Sequence, residues 1–274
     1  MSKVVFITGA SKGFGRLWTE ALLKRGDKVV AAVRNIAALK ELVDKYPDNL
    51  LPLRLDVDKR EDVFATVAEA IGWFGRIDVV INNAGFGLFG ITEEATEQQA
   101  RQQMDTNFFG SLWVVQAILP IMRKQRSGHI IQVSSYLGIT TLPMLGLYNA
   151  SKFAVEGMIE TISKEVGHLG IRTTLIEPNG FATDWAGASA AVISGDITDY
   201  DVVRASSEDS GGDPSFWGKP AATVEPLLKI IDHPHPPERL LLGRVAYESV
   251  YRFYTWRLQE IEAWKQVSIA AHGH

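Results

Sequence analysis

Seven short apolar runs punctuate the chain: Val4–Ile7, Val29–Val33, Leu50–Leu55, Val79–Ile81, Ile130–Val133, Thr173–Ile176 and Leu240–Leu242. They are near-continuous rather than alternating, the pattern of strands covered on both faces in a parallel sheet. Between them, apolar positions recur at helical spacing near 14–25, 36–45, 60–73, 97–125, 147–168 and 220–232. Strand–helix alternation predicts right-handed βαβ units in a doubly wound α/β sheet of seven strands flanked by helices. No low-complexity linker divides the chain, so one domain is expected over residues 1–262, with 263–274 as a loosely held tail.

Two segments depart from that rhythm. Residues 181–218 are rich in Ala, Gly, Ser and Asp, and 206–213 are strongly polar. An insertion of this length after a late strand is expected to overhang the carboxyl edge of the sheet as a lid, where ligands of such sheets bind. Residues 245–262 set Val250, Tyr251, Tyr254, Leu258 and Ile261 at helical spacing, an apolar stripe expected to pack on the core or on another subunit.

Composition narrows the chemistry. The 274 residues include no cysteine, which removes disulfides, thiol nucleophiles, iron–sulfur clusters and cysteine zinc sites. The net charge is −4 with no basic block, which argues against nucleic-acid binding. No apolar run approaches the ~20 residues of a membrane span, and the opening segment is not a signal peptide. A cytoplasmic protein without a membrane anchor is expected. The six histidines show no ligand spacing, His233–Pro237 reads as a rigid turn, and no metal site is expected.

The first apolar run ends in Thr8-Gly9-Ala10-Ser11-Lys12-Gly13-Phe14-Gly15 and leads into a helix. Glycines let a backbone turn tightly and approach a pyrophosphate, and a helix N-terminus offers N–H donors and a positive dipole end. The spacing G-x-x-x-G-x-G differs from the common G-x-G-x-x-G fingerprint, but the strand–loop–helix context points to a dinucleotide. An acidic residue ending the second strand would hold an adenosine ribose. Arg34 stands there instead, and Lys12 lies in the loop. Two cations favour a 2′-phosphate, hence NADP(H) over NAD(H). Asp56, after the third strand, is placed to reach the adenine amino group.

Tyr148 and Lys152 stand four apart in Tyr-Asn-Ala-Ser-Lys, on one face of the helix expected there. Together with the glycine loop, Asp56-Val57, Asn82-Asn83-Ala84-Gly85, Asn107, Ser134-Ser135 and Pro178…Thr183, they give the chain its identity by pattern. It resembles the short-chain dehydrogenase/reductase family, Tyr-x-x-x-Lys type, over about residues 3–245. The resemblance implies a Rossmann sheet, a nicotinamide cofactor and a catalytic tetrad of Asn107, Ser135, Tyr148 and Lys152. Ser135 is chosen over Ser134 because the family's serine lies thirteen residues before the tyrosine. It further implies cofactor contacts from Gly9, Ser11, Lys12, Gly13, Phe14, Gly15, Arg34, Asp56, Val57, Asn83, Ala84, Gly85, Tyr148, Lys152, Pro178, Gly180, Phe181 and Thr183. Members often assemble through their long helices, so 97–125 and 147–168 are expected interfaces of a homodimer or homotetramer. Where the family usually has Pro-Gly, this chain has Pro178-Asn179-Gly180, and Asn tolerates unusual backbone angles.

Carbonyl reduction puts hydride on carbon and charge on oxygen, which then needs a proton donor and a hydrogen-bond partner. A free phenol has a pKa of about 10, and lowering it by about 3 units takes about 4 kcal/mol of differential interaction. Lys152 and an oxidised nicotinamide, both positive, would favour the phenolate in a dry cleft. Tyr148 is then acid for reduction and base for oxidation, Ser135 holds the substrate oxygen, Lys152 also holds the nicotinamide ribose, and Asn107 completes a proton path through water. The expected function is an NADP(H)-dependent oxidoreductase acting on a carbonyl or secondary alcohol of a small molecule. The alternatives are a non-catalytic NADP(H)-binding sensor or scaffold, and a sugar-nucleotide epimerase or dehydratase. Phe86, Leu88, Phe89, Leu137, Leu142, Met144, Leu145 and Trp185 are the candidate substrate walls, apolar enough for a hydrophobic ketone, alcohol or steroid-like molecule.

Overall fold

The structure, a computed structural model, describes residues 2–183, 185, 190–211 and 216–273, with the side chains of 208–211 outside that description. Positions 184, 186–189 and 212–215 of the expected lid therefore lie outside the described residues, as do the two terminal residues.

Seven parallel strands form the sheet: β1 (Val4–Thr8), β2 (Lys28–Val33), β3 (Leu50–Arg54), β4 (Val79–Asn82), β5 (Gly128–Val133), β6 (Ile171–Pro178) and β7 (Arg239–Leu242). Their order is β3-β2-β1-β4-β5-β6-β7. The strand order reverses at β1, and the crevice outside the carboxyl ends of β1 and β4 is where such sheets take ligands. Each apolar run predicts its strand, and β6 runs two residues further at each end than the run 173–176.

The absence of alternation in β1 follows from its two covers. Val4 and Phe6 point into a core layer with Val63 and Val67 of α3 (Arg60–Phe74), Val114 and Ile118 of α5 (Gly110–Gln125), and Val155 and Ile159 of α6 (Gly146–Val166). Val5 and Ile7 point the other way, toward Trp18 and Leu22 of α1 (Gly13–Arg25), Leu42 of α2 (Lys40–Lys45) and Ile230 of α8 (Val224–Asp232). Burying such side chains contributes roughly 1.5–3 kcal/mol each, so a strand apolar on both faces is stable only between two helical layers. Trp18 ties α1 to the turn before α8, its indole N–H donating to Thr223 Oγ1 at 2.9 Å.

The expected helix over 97–125 is interrupted. α4 (Glu97–Met104) starts on a capping box between Thr96 and Gln99. It passes through one π-turn, Asp105–Phe109, before α5. Single π-turns of this kind cluster at functional sites, and Asn107 sits inside this one.

Within 181–218 there is more order than the composition suggests. Ala191–Val192 pairs in parallel with Leu88–Phe89, and α7 spans Asp201–Gly211. Arg204 donates to both carboxylate oxygens of Glu94, at 2.5 and 2.7 Å, and to the Ile197 carbonyl at 2.9 Å. Asn179 does not use the backbone tolerance expected of it, since among the described residues the non-glycine ones with positive φ are Arg126 and Met144. Its side chain serves instead as a stitch, Nδ2 donating to the carbonyls of Gly180 at 2.7 Å and Phe216 at 3.2 Å. Among the described residues no helix is long and apolar enough to cross a membrane.

Of the stripe at 245–262 Val250 packs on the chain's own core, as one of the two expectations had it, and the rest does not. α9 (Arg244–Ala263) buries Ala246 and Val250, whereas Tyr251, Tyr254, Leu258 and Ile261 are exposed. A short exposed helix α10 (Lys265–Ala270) follows it.

Candidate active site

A cleft of about 1010 Å³ opens at the carboxyl edge of the sheet. Every residue expected to touch a cofactor lines it except Gly15, and so do Ser135, Tyr148 and Lys152.

One end of the cleft is a backbone cradle. Gly9 and Gly13 take φ +68° and +53°, angles that L side chains rarely adopt. Thr8 Oγ1 accepts the N–H groups of Asn83 and Ala84 at 3.0 Å each, and Asn83 Nδ2 donates to the carbonyls of Thr8 and Gly9 at 3.0 and 3.2 Å. These bonds lock the ends of β1 and β4 together. Gly15 serves this packing rather than lining the cleft, because a Cβ there would collide with the Gly9 carbonyl oxygen. α1 starts with no acidic residue in its first turn, so its N-terminal dipole faces the cleft unopposed by its own helix.

Arg34 and Lys12 both line this end, joined by Asn35, Asp56 and Asp58. The Asp58 carboxyl is pushed above its usual value by partial loss of water and by the charges of Asp56 and Asp105, against a hydrogen bond from Thr106 and the charge of Arg34. Asn35 and Asp58 carried no signal in the sequence pattern.

Ser135, Tyr148 and Lys152 converge farther along. Ser135 follows β5; its Oγ accepts the Leu137 N–H at 3.1 Å and donates to the Pro178 carbonyl at 3.4 Å. Tyr148 and Lys152 are 4% and 6% exposed on the first turns of α6. The ammonium lies 5.6 Å from the phenol ring centre and donates to the Val133 carbonyl at 3.0 Å. Burial pushes the Lys152 ammonium down to about 8, against the charge of Glu156 one turn on. Burial also pushes the Tyr148 phenol well above its usual value, against a hydrogen bond with Ser135. The expected lowering joined Lys152 to an oxidised nicotinamide; among the protein's own groups the loss of water around the phenol prevails and holds it protonated.

Asn107 does not line the cleft but stands directly behind its wall at Gly85 and Phe86. Its amide is spent on the backbone of Phe86, Oδ1 accepting the N–H at 3.1 Å and Nδ2 donating to the carbonyl at 3.0 Å, and Nδ2 also reaches Ser151 Oγ at 3.1 Å. The side chain thus braces the loop after β4 against α6.

The apolar end of the cleft contains the expected Phe86, Phe89, Leu137, Leu142, Met144, Leu145 and Trp185. Leu88 is the exception: it is 1% exposed, buried beneath its short strand pairing. Alternation along a strand puts Phe89 on the cleft side and Leu88 on the other. Trp185 stands against Tyr148 at 5.0 Å and Phe89 at 5.4 Å between ring centres. Tyr136, Phe216, Trp217 and Gln102 also line the cleft and had no sequence signal. Met144 adopts φ +64°, and its carbonyl accepts the Gly90 N–H at 2.7 Å. A methionine held in the left-handed region costs roughly 1–2 kcal/mol, a strain placed at the wall of the cleft.

A short chain dehydrogenase family model matches residues 3–194. The chain belongs to the short-chain dehydrogenase/reductase family. It is similar to the oxidoreductase BOA17 of Botryotinia fuckeliana, 38% identical over 276 residues, covering 99% of this chain and 100% of that protein. It is 34% identical over 260 residues to a 3-ketodihydrosphingosine reductase of Bacteroides thetaiotaomicron, covering 93% of each. A short-chain dehydrogenase structure from Streptomyces avermitilis superposes with TM-score 0.91 at 31% identity, over 98% of this chain and 100% of that one. The protein is thus an NAD(P)-dependent oxidoreductase.

In this short-chain dehydrogenase/reductase a charged cluster stands behind the Tyr148–Lys152 face. Arg239 donates to Glu156, to Glu177 at 2.6 Å and to Glu160 at 3.0 Å. Glu156 and Glu177 are 4% and 1% exposed. Burial, then the charge of Glu156, pushes the Glu177 carboxyl up. Burial of two carboxylates side by side favours a shared proton, and the single Arg239 guanidinium works against it. The sequence pattern gave no hint of it.

Proposed function

We propose that the protein is an NADP(H)-dependent reductase of a carbonyl on an apolar small molecule, or in reverse a dehydrogenase of the secondary alcohol, with Tyr148 as general acid and base. The observation that carries this is the polarity of a single cleft. Arg34 and Lys12 line the end beside the glycine cradle, and Ser135, Tyr148 and Lys152 converge where the aromatic and aliphatic walls begin.

The cradle suits a dinucleotide, because Gly9 and Gly13 put no side chain of their own at the cleft wall and turn the loop through positive φ, which lets a pyrophosphate approach the backbone. Gly9, Ser11, Gly13 and Phe14 would hold the pyrophosphate, and Lys12 and Arg34 a 2′-phosphate. Asp56 and Val57 would meet the adenine, Asn83, Ala84 and Gly85 the nicotinamide ribose, and Pro178, Gly180, Phe181 and Thr183 the carboxamide side. When bound, the nicotinamide supplies or accepts hydride.

The chain's own residues do the rest. Ser135 Oγ and Tyr148 Oη hold the carbonyl oxygen, and Tyr148 gives it a proton as charge develops. A phenol held protonated by burial is suited to that acid role. Lys152 sets the field behind the phenol and holds the ribose. Asn107 positions the Phe86 loop that borders both partners. The segment 181–218 is the lid, latched by Arg204 and Glu94. The aromatic walls favour an apolar substrate, and a long-chain ketone is the substrate in the name of one relative.

The test is NADPH consumption with a panel of apolar ketones, followed against NADH. Turnover with NADPH and apolar ketones is expected. Absence of turnover across the panel together with absence of NADPH binding would refute the assignment.

A further inference from the structure

Most of the exposed large hydrophobic residues lie on the last two helices. α9 is anchored by Ala246 and Val250, with Phe253 packed on the cluster that holds Tyr136, Leu137 and Tyr148. From Tyr254 to Gly273 every residue is exposed, so the helix leaves the body of the domain as an arm. An isolated helix of this length is marginal in water, and one this apolar needs a partner surface.

The arm carries an ordered seam. Tyr247, Tyr251, Tyr254, Leu258 and Ile261 recur at intervals of four, three, four and three. They are 60%, 65%, 46%, 66% and 64% exposed. This is the spacing of the a and d positions of a two-helix seam, in which side chains of one helix enter gaps of another. Tyr247 and Tyr251 already stack along it, 6.2 Å between ring centres.

We propose that this seam of α9 packs against the same seam of a second copy of the chain. Three observations select that occupant. The heptad spacing calls for a helix as partner, and the seam is the same on both copies, as a two-fold interface requires. The exposed part of these five side chains comes to on the order of 600 Å² per copy, near the ~800 Å² of a standard interface side, and Trp264 is available at its rim, 63% exposed. Charge points the same way. Arg257 and Lys265 balance Glu260 and Glu262 over the arm, whereas helices that lie on membranes carry a basic polar face. The inference is independent of the cofactor and substrate assignments.

The experiment is sedimentation equilibrium of the full chain beside two variants, Leu258→Glu and Trp73→Glu. Trp73 is an exposed aromatic on α3, 69% exposed and outside the seam. Both positions are solvent-facing, and thermal melting checks that both variants fold. The expected result is a dimer, or a larger even assembly, whose mass halves in Leu258→Glu and is unchanged in Trp73→Glu. An assembly of unchanged mass in Leu258→Glu would overturn the proposal in favour of another face, such as the helices at 97–125 and 146–166. A monomeric wild type would overturn it too, and its co-sedimentation with neutral phospholipid vesicles would give the arm to a membrane.

Discussion

The indole of Trp185 stands 5.0 Å from the ring of Tyr148, inclined at 59°. It contributes to the dry wall that keeps the phenol protonated. Trp185→Ala should admit water and lower the phenol's pKa toward its ordinary value. Alcohol oxidation needs the deprotonated phenol, so its rising limb should move to lower pH. The lost aromatic contact of about 0.5–1.5 kcal/mol should raise KM for an apolar substrate roughly 3- to 10-fold. Rate–pH profiles check this, and an unmoved limb would show that Trp185 does not shield the phenol.

Arg34 marks the cofactor end of the cleft. Losing a charge-assisted contact of about 1.5–3 kcal/mol should weaken NADPH binding roughly 10- to 100-fold in Arg34→Asp. NADH binding should hold or improve. Parallel calorimetric titrations read this directly, and equal losses for both cofactors would remove the 2′-phosphate role.

His129 is 7% exposed on β5, and its Nε2 meets Thr174 Oγ1 at 2.9 Å. Thr174 Oγ1 donates its own proton to the Pro237 carbonyl, so neutral His129 supplies the N–H. Burial, then Lys3 and Arg172, pushes the imidazole down to about 3. Unfolded, it titrates at about 6.5. The folded pKa is the lower one, so the stabilisation is complete above about 6.5 and is lost as pH falls from there toward 3. Between about pH 6.5 and about pH 5 the loss should reach about 2 kcal/mol. His129→Gln, which keeps an N–H donor and cannot titrate, should flatten this part of the melting-temperature profile. An unchanged acid slope would assign it to the carboxylates.

Arg204 and Glu94 latch the lid segment to the turn after β4. Arg204→Met keeps the aliphatic stem and removes the fork. Amides over 191–207 should exchange faster, and KM for the carbonyl substrate should rise while NADPH affinity holds. Unchanged exchange there would show that the short strand pairing alone holds the segment.

Much of this was legible because it is local. The strands announced themselves as apolar runs, Tyr148 and Lys152 share a helix face by spacing alone, and the cradle follows from glycines between a strand and a helix. What escaped is long-range or conformational. Glu177 and Arg239 end apolar runs and read as boundary charges, because the partner that explains each is 62 residues away. Asn107 looks like any helix residue until the π-turn brings its amide to Phe86. Phe216 and Trp217 sit in a segment whose composition says loop, and Asn179 holds them there through the Phe216 carbonyl. The depth at which Tyr148 is buried also needed the fold, since the sequence shows the neighbouring charge and not the loss of water around the phenol.

The most direct measurement is turnover by Tyr148→Phe with NADPH and an apolar ketone, beside calorimetric NADPH binding by the same variant. The ring stays and the proton donor goes. General acid catalysis contributes about 10²- to 10⁴-fold, so turnover should fall by at least that order while NADPH affinity stays within a few-fold of wild type. Wild-type turnover by Tyr148→Phe would contradict the account.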